Sequence, residues 1–219
     1  NDKFITRIGF LGLMKLNAGK ERNVLPHENT LLAPKLDRLN LIRATEANLE
    51  PIFVLYEDRS HKLLNILKKR CFEDRPFIDI QSDGVRHAVW KIASRRDIRK
   101  IQKAMLPKTI FIADGHHRYE VSLTHSIETQ DRNLTERIKR NSKYMAAYFV
   151  EMDGDMLTIL PTHRLVKDIG ILKKEDINRR LVKFFDIEKA ANIDSVLSKL
   201  KSLKNRHVFG IYLGKGEFY

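Results

Sequence analysis

The sequence predicts a mixed-sheet fold, α/β or α+β, with flanking helices. Three observations carry this. Short runs rich in β-branched and aromatic residues, such as IFVLY at 52–56 and TIFIA at 109–113, alternate with stretches of helical apolar spacing. Hairpin signals interrupt that alternation, which argues against a doubly wound sheet. The chain has 219 residues, 42% of them hydrophobic and 32% charged, enough to bury a real core. No apolar run is long enough to span a membrane.

The elements follow in order. Residues 7–16 (RIGFLGLMKL) read as a glycine-punctuated strand. Residues 17–32 lack periodicity and hold Gly19, Pro26 and Asn29. They read as a long polar loop, a kind of segment that often carries function. Pro34 suits the first position of a helix, and Leu36, Leu39 and Ile42 recur at helical spacing to about Asn48. A buried-type strand over 52–56 comes next. Ser60 stands where it would cap a helix carrying Leu63, Leu64, Leu67 and Cys71. Ser82-Asp83-Gly84 is a turn between strands at 78–80 and 85–92. Ser94 and Asp97 make a capping-box-like start for a helix through Ile98, Ile101 and Met105.

A strand over 109–113 ends at Asp114-Gly115, and helices follow to about Glu128 and over 133–140. Strands at 143–151 and 156–160 flank Asp153-Gly154-Asp155. Helices over 174–185 and 193–203 and a strand over 208–213 close the chain at Gly214-Lys215-Gly216. Trp90 and Cys71 are expected in the core. No Pro-, Gly- or Ser-rich linker and no repeat is present. A single domain over 1–219 is therefore expected, with a subdomain over 169–219. The start, Asn1-Asp2-Lys3, has neither Met nor an apolar signal region, and the end falls inside a hairpin. The chain reads as the middle part of a longer protein. Its one cysteine fits a reducing, cytoplasmic setting.

Forty-one basic and 28 acidic residues give a net charge of +13. The excess is spread over Lys62, Lys68, Lys69 and Arg70, over Arg95, Arg96, Arg99 and Lys100, and over Lys199, Lys201 and Lys204. Each group lies on a stretch of helical spacing and reads as a solvated helix face. A nucleic-acid partner is thus less favoured than a phosphorylated small molecule. No membrane partner is expected.

The sharpest motif is Ala113-Asp114-Gly115-His116-His117-Arg118-Tyr119-Glu120, at a strand end and a helix start. Helix-start amides have no internal partners and carry partial positive charge, and glycine lets an anion approach the backbone. Arg118 offers a planar fork for phosphate oxygens. His116 and His117 add donors, and Asp114 would cap the helix or ligate Mg²⁺ beside phosphates. A second segment, Pro26-His27-Glu28-Asn29-Thr30, offers His27 and Glu28 as base or metal ligand, with Lys35 and Arg38 on one face of the next helix. A third, Pro161-Thr162-His163-Arg164, stands at a strand end, where His163 and Arg164 would line a site. Each of the last two reads equally well as an ordinary polar surface. HExxH, G-x-G-x-x-G and Walker A patterns are absent from the sequence.

IADGHHRYE, PHENT followed by APKLDR, DGVRHAVW and LPTHR, in this order and spacing, resemble the family called domain of unknown function 1015. The likeness runs over about residues 7–212. The DGHHR loop is similar to the Asp-Gly-x-x-Arg phosphate loop of the partition-protein-B/sulfiredoxin-like superfamily, which includes free serine kinases. That second resemblance implies a partition-protein-B/sulfiredoxin-like core and a nucleotide, ATP or ADP, with Mg²⁺. It also implies Glu28 as base, by order and type. Sulfiredoxin chemistry is disfavoured, because 114–118 holds no cysteine.

The expectation is an enzyme transferring a phosphoryl group to a small hydroxyl-bearing acceptor. Gly115, His116, His117, Arg118, Lys35, Arg38 and Arg164 would grip phosphate, with Asp114 orienting the loop or holding metal. Glu28 would take the acceptor's proton, assisted by His27 and His163. The alternative is a nucleotide-binding regulatory or nucleic-acid-binding module of the partition-protein type, which needs no carboxylate at Glu28.

Overall fold

The computed structural model describes residues 5–17, 23–152, 156–157, 162–167, 174–203 and 206–219. The chain divides into two compact units, Asn1–Ile159 and Leu160–Tyr219. The division falls before the subdomain boundary expected from the sequence.

The first unit is a mixed α/β structure. Its five-stranded sheet has the order β1-β7-β3-β6-β2. β1 (Gly9–Lys15) runs antiparallel to β7 (Tyr144–Glu151), and β7 runs parallel to β3 (Ile52–Tyr56). β6 (Ile110–Asp114) is antiparallel to β3 and parallel to β2 (Val24–Leu25). β2 is a correction: it lies inside the segment expected to be loop throughout. Two residues carry no period-2 signal, so only their pairing with Ile110 and Phe111 makes them a strand. A separate hairpin, β4 (Ile78–Ser82) with β5 (Val85–Val89), turns at Asp83 and Gly84, where both φ angles are positive. That is the primed turn the Asp-Gly pair favours.

Period-2 alternation places Ile52, Val54 and Tyr56 of β3 in the core, all essentially inaccessible. They join Ile112, Met145, Ala147 and Phe149 from the neighbouring strands. α2 (Lys62–Glu73) adds Leu63 and Leu67, α3 (Arg95–Met105) adds Ile101, and α4 (His116–Asp131) adds Tyr119. Burying each such side chain is worth roughly 1.5–3 kcal/mol. α1 (Leu32–Thr45) packs along α4, and α5 (Glu136–Asn141) follows α4.

Ser94 caps α3 as expected, its Oγ accepting from Asp97 N–H at 3.4 Å. The Ser60 cap is corrected. Asp58 Oδ2 accepts the Leu63 N–H at 2.9 Å, while Ser60 Oγ only donates to Asp58 Oδ1. A carboxylate accepts two bonds at once, and the chain reaches α2 through His61 at φ 51°, which leaves Asp58 over the helix start. Trp90 and Cys71 are half-buried rather than core residues, and Trp90 Nε1 donates to the Asp74 carbonyl.

The second unit holds α6 (Lys174–Leu181) and α7 (Ile193–Ser202). The strand expected over 208–213 is reduced to bridges: Tyr212 and Ala190 each pair with Phe218 around the Gly214–Gly216 turn. Residues 153–155 and 158–161, including the expected Asp153-Gly154-Asp155 turn and Pro161, lie outside the described residues. No helix among the described residues is long and apolar enough to cross a membrane.

Candidate functional site

The register of the sheet sets the site. β6 pairs Asp114 with Phe53 and then Ile112 with Val54, so Ala113 has no partner on β3. Such a bulge bends a strand end and re-aims the side chains beyond it. Directly after it, Gly115 opens α4 at φ +94°. A Cβ there would stand 2.6 Å from Ile52 Cγ2 and 3.1 Å from Arg118 Nε. Backbone conformation and space therefore both require glycine. α4 begins with no side-chain cap and no acidic residue in its first turn. Its N-terminal amides and positive dipole end are left for other partners.

The 26–30 segment lies against this turn. The His27 backbone N–H donates to His116 Nε2 at 3.3 Å, and the Leu31 N–H donates to His117 Nε2 at 3.1 Å. His27 Nδ1–H donates to the Ile112 carbonyl at 2.8 Å, and its ring meets His116 edge-on at 4.4 Å. His116 is 4% exposed. With Nε2 accepting, its neutral form carries the proton on Nδ1, facing Glu28 Oε2 at 3.7 Å. Burial, and then His27, hold its pKa below the ordinary histidine value, although Glu28 pulls the other way. The Glu28 side chain is 60% exposed. Glu120 ties the seam further, accepting from Thr30 Oγ1 at 2.5 Å and from Lys35 Nζ at 2.9 Å.

Arg118 reaches the opposite way. Its guanidinium donates to Glu50 Oε2 at 3.0 Å, to the Pro51 carbonyl at 2.7 Å and to Asp114 Oδ2 at 2.6 Å. Both carboxylates are more than two-thirds exposed. The guanidinium expected to face an anion is thus held by carboxylates of the chain itself.

The structure therefore brings His27, Glu28, Lys35, Asp114, Gly115, His116, His117 and Arg118 around one helix start. Arg38 is exposed on α1, and Lys35 is paired with Glu120. His163 and Arg164 belong to the second unit, where both are exposed coil. Two participants escaped the motif reading. Glu50 carries no local signal beyond preceding Pro51, and Glu120 stands inside the DGHHRYE block without an assigned role. Among the described residues no group of three His, Cys, Asp or Glu would hold a metal. Asp114, already bound to Arg118, does not by itself make a cation site.

The sheet and its histidine-latched loop define a mixed α/β protein with a candidate site at a helix N-terminus. The family model for proteins of unknown function, DUF1015, matches residues 2–219, and the chain belongs to that family. Comparison with curated proteins and with solved structures finds no match.

Proposed function

We propose that this protein binds a nucleotide or other phosphorylated small molecule at the start of α4 and transfers a phosphoryl group to a small hydroxyl-bearing acceptor. One observation carries the reading. An exposed carboxylate, Glu28, is held 3.7 Å from a buried histidine at the mouth of an uncapped, glycine-opened helix. Helix-start amides suit phosphate, and an exposed carboxylate suits the proton an attacking hydroxyl must lose. The similarity of the DGHHR loop to the phosphate loop of partition-protein-B/sulfiredoxin-like proteins points the same way.

In this reading the acceptor hydroxyl gives its proton to Glu28 and its oxygen bonds to the terminal phosphorus. The bond to the bridging oxygen breaks, and the nucleoside diphosphate leaves. His116 and His117 keep the loop closed on the helix rather than gripping phosphate themselves. Arg118 turns from Glu50 towards the incoming phosphate while Asp114 holds its other edge.

The test is phosphorus NMR of the protein with Mg-ATP and a panel of small alcohols and hydroxy acids. Transfer to one of them is expected. Glu28→Gln should slow it about 10²–10⁴-fold, the usual worth of a general base, with ATP affinity by calorimetry unchanged. ATP binding without transfer to any acceptor would leave the binding-module reading in its place. Absence of binding by ATP and by simpler phosphates would end both.

A further inference from the structure

The fold gathers charge that the sequence keeps apart. α2 and α3 hold 12 and 11 residues, nine of them basic and two acidic, so this pair of helices carries +7 of the chain's +13. The two helices are neighbours: they pack on each other, and Leu63, Leu67 and Ile101 enter one core cluster. Their remaining sides therefore look outward together. Arg70 bonds Asp97 across the seam, Lys100 stands 3.7 Å from Asp97, and Lys69 stands 3.5 Å from Glu73. Both acidic residues are thereby matched. Lys62, Lys68, Arg95, Arg96, Arg99 and Lys103, all exposed, form no ion pair with a carboxylate among the described residues.

Helix stability does not account for this arrangement. Arg95 and Arg96 stand in the first turn of α3, where the helix dipole disfavours a cation. Arg95 and Arg99, then Arg99 and Lys103, are like charges four residues apart, and such pairs destabilise a helix. A bound polyanion would relieve both. The spread of the charges sets the kind of polyanion. At 1.5 Å per residue the α3 cations extend over about 12 Å, and Lys62 and Lys68 lie about 9 Å apart on the neighbouring helix. One small anion cannot meet them all, whereas a chain of phosphates can. Phe72 adds a second feature. It is 87% exposed and follows Lys68 by four residues, on the side of α2 away from Leu63, Leu64 and Leu67. A cationic track with an exposed ring beside it is how single strands are held, phosphates on the charges and a base on the ring. A lipid surface fits less well, because Ile98, at 37%, is the one large apolar side chain exposed on α3.

We propose that the outer face of α2 and α3 binds single-stranded nucleic acid, with its phosphates along Arg95, Arg99 and Lys103 of α3 and Lys62 and Lys68 of α2 and a base stacked on Phe72. This surface is independent of the phosphate reading at the start of α4.

The probe is labelled oligothymidylate titrated into the whole protein and followed by fluorescence anisotropy. If six cations meet phosphates, affinity should fall roughly 300-fold between about 50 and 200 mM salt. Arg95→Gln, Arg99→Gln and Lys103→Gln combined should lower the slope of log Kd against log salt by about two. Arg132→Gln, Arg137→Gln and Arg140→Gln combined remove the same charge beside α5 and should leave that slope unchanged. All six positions are exposed, so both triple variants should keep the parent's circular dichroism. Phe72→Ala should weaken binding about fivefold or more, and Phe72→Tyr should keep it, since either ring stacks on a base. Equal losses from the two triple variants, or full affinity in Phe72→Ala, would overturn the proposal. So would a thymidylate–adenylate duplex binding as tightly as the single strand, or phosphatidylserine vesicles outcompeting the oligonucleotide at the same salt.

Discussion

Gly115 is the residue on which the candidate site turns, and Gly84 provides its control. Both have positive φ, but a Cβ at Gly84 meets nothing within 4 Å, whereas one at Gly115 runs into Ile52. Gly84→Ala should cost only the left-handed backbone, about 1–2 kcal/mol. Gly115→Ala should add about 1–3 kcal/mol of overpacking, so its urea midpoint should lie clearly below that of Gly84→Ala. His116 supports a pH prediction. Its folded value lies below the ordinary 6.5, so the unfolded chain takes a proton that the folded chain refuses. Stability is complete above about 6.5 and is lost as pH falls through it towards the lowered folded value. His125 is shifted in the same direction and adds to the loss. Urea midpoints measured between pH 7 and pH 5 should fall, and His116→Gln should make the fall shallower without abolishing it, the remainder belonging to His125.

At the scale of elements, the starts of α2 and α4 are built differently. α2 is capped by Asp58, a 5%-exposed carboxylate that takes the Leu63 N–H, the Ser60 hydroxyl and, at 3.2 Å, Lys108 Nζ. Burial alone would raise its pKa, but these bonds and Lys108 together hold it below the ordinary aspartate value. Removing it strips a cap and leaves Lys108 Nζ without its carboxylate, with the Glu57 carbonyl at 2.7 Å still accepting from it, so Asp58→Ala should cost the upper part of the about 0.5–2 kcal/mol typical of caps. Ser60→Ala should cost clearly less, and equal losses in chemical denaturation would restore Ser60 as the cap. α4, by contrast, starts with a left-handed glycine and two histidines whose Nε2 atoms accept from the preceding loop. Those bonds join residues more than 80 positions apart.

For the whole molecule, the hydrophobic cluster found among the described residues is made of residues of the first unit, from Met14 to Phe149. A unit that owns its core is expected to fold alone. Residues 1–159 expressed separately should unfold in one cooperative transition, with the His116 and His125 ring resonances in their native positions. A non-cooperative transition, or collapsed histidine shifts, would mean that the first unit needs Leu160–Tyr219 to fold.

The sequence by itself determined the mixed architecture, most helices and strands, the Asp83-Gly84 hairpin and the helix start at Gly115. Each rests on local chemistry: periodicity of apolar residues, β-branched runs, and glycine where φ must be positive. It also singled out both loops of the candidate site from residue type alone. Tertiary structure decided the rest. β2 exists only through its partner β6, and Asp58 rather than Ser60 faces the α2 start because of the turn at His61. The bonds from the 26–31 segment to His116 and His117, and from Arg118 to Glu50 and Asp114, depend on sheet register and on a bulge opposite Phe53. Helix and strand signals operate over a few residues, whereas these contacts close distances of up to 89 positions, which no local pattern encodes.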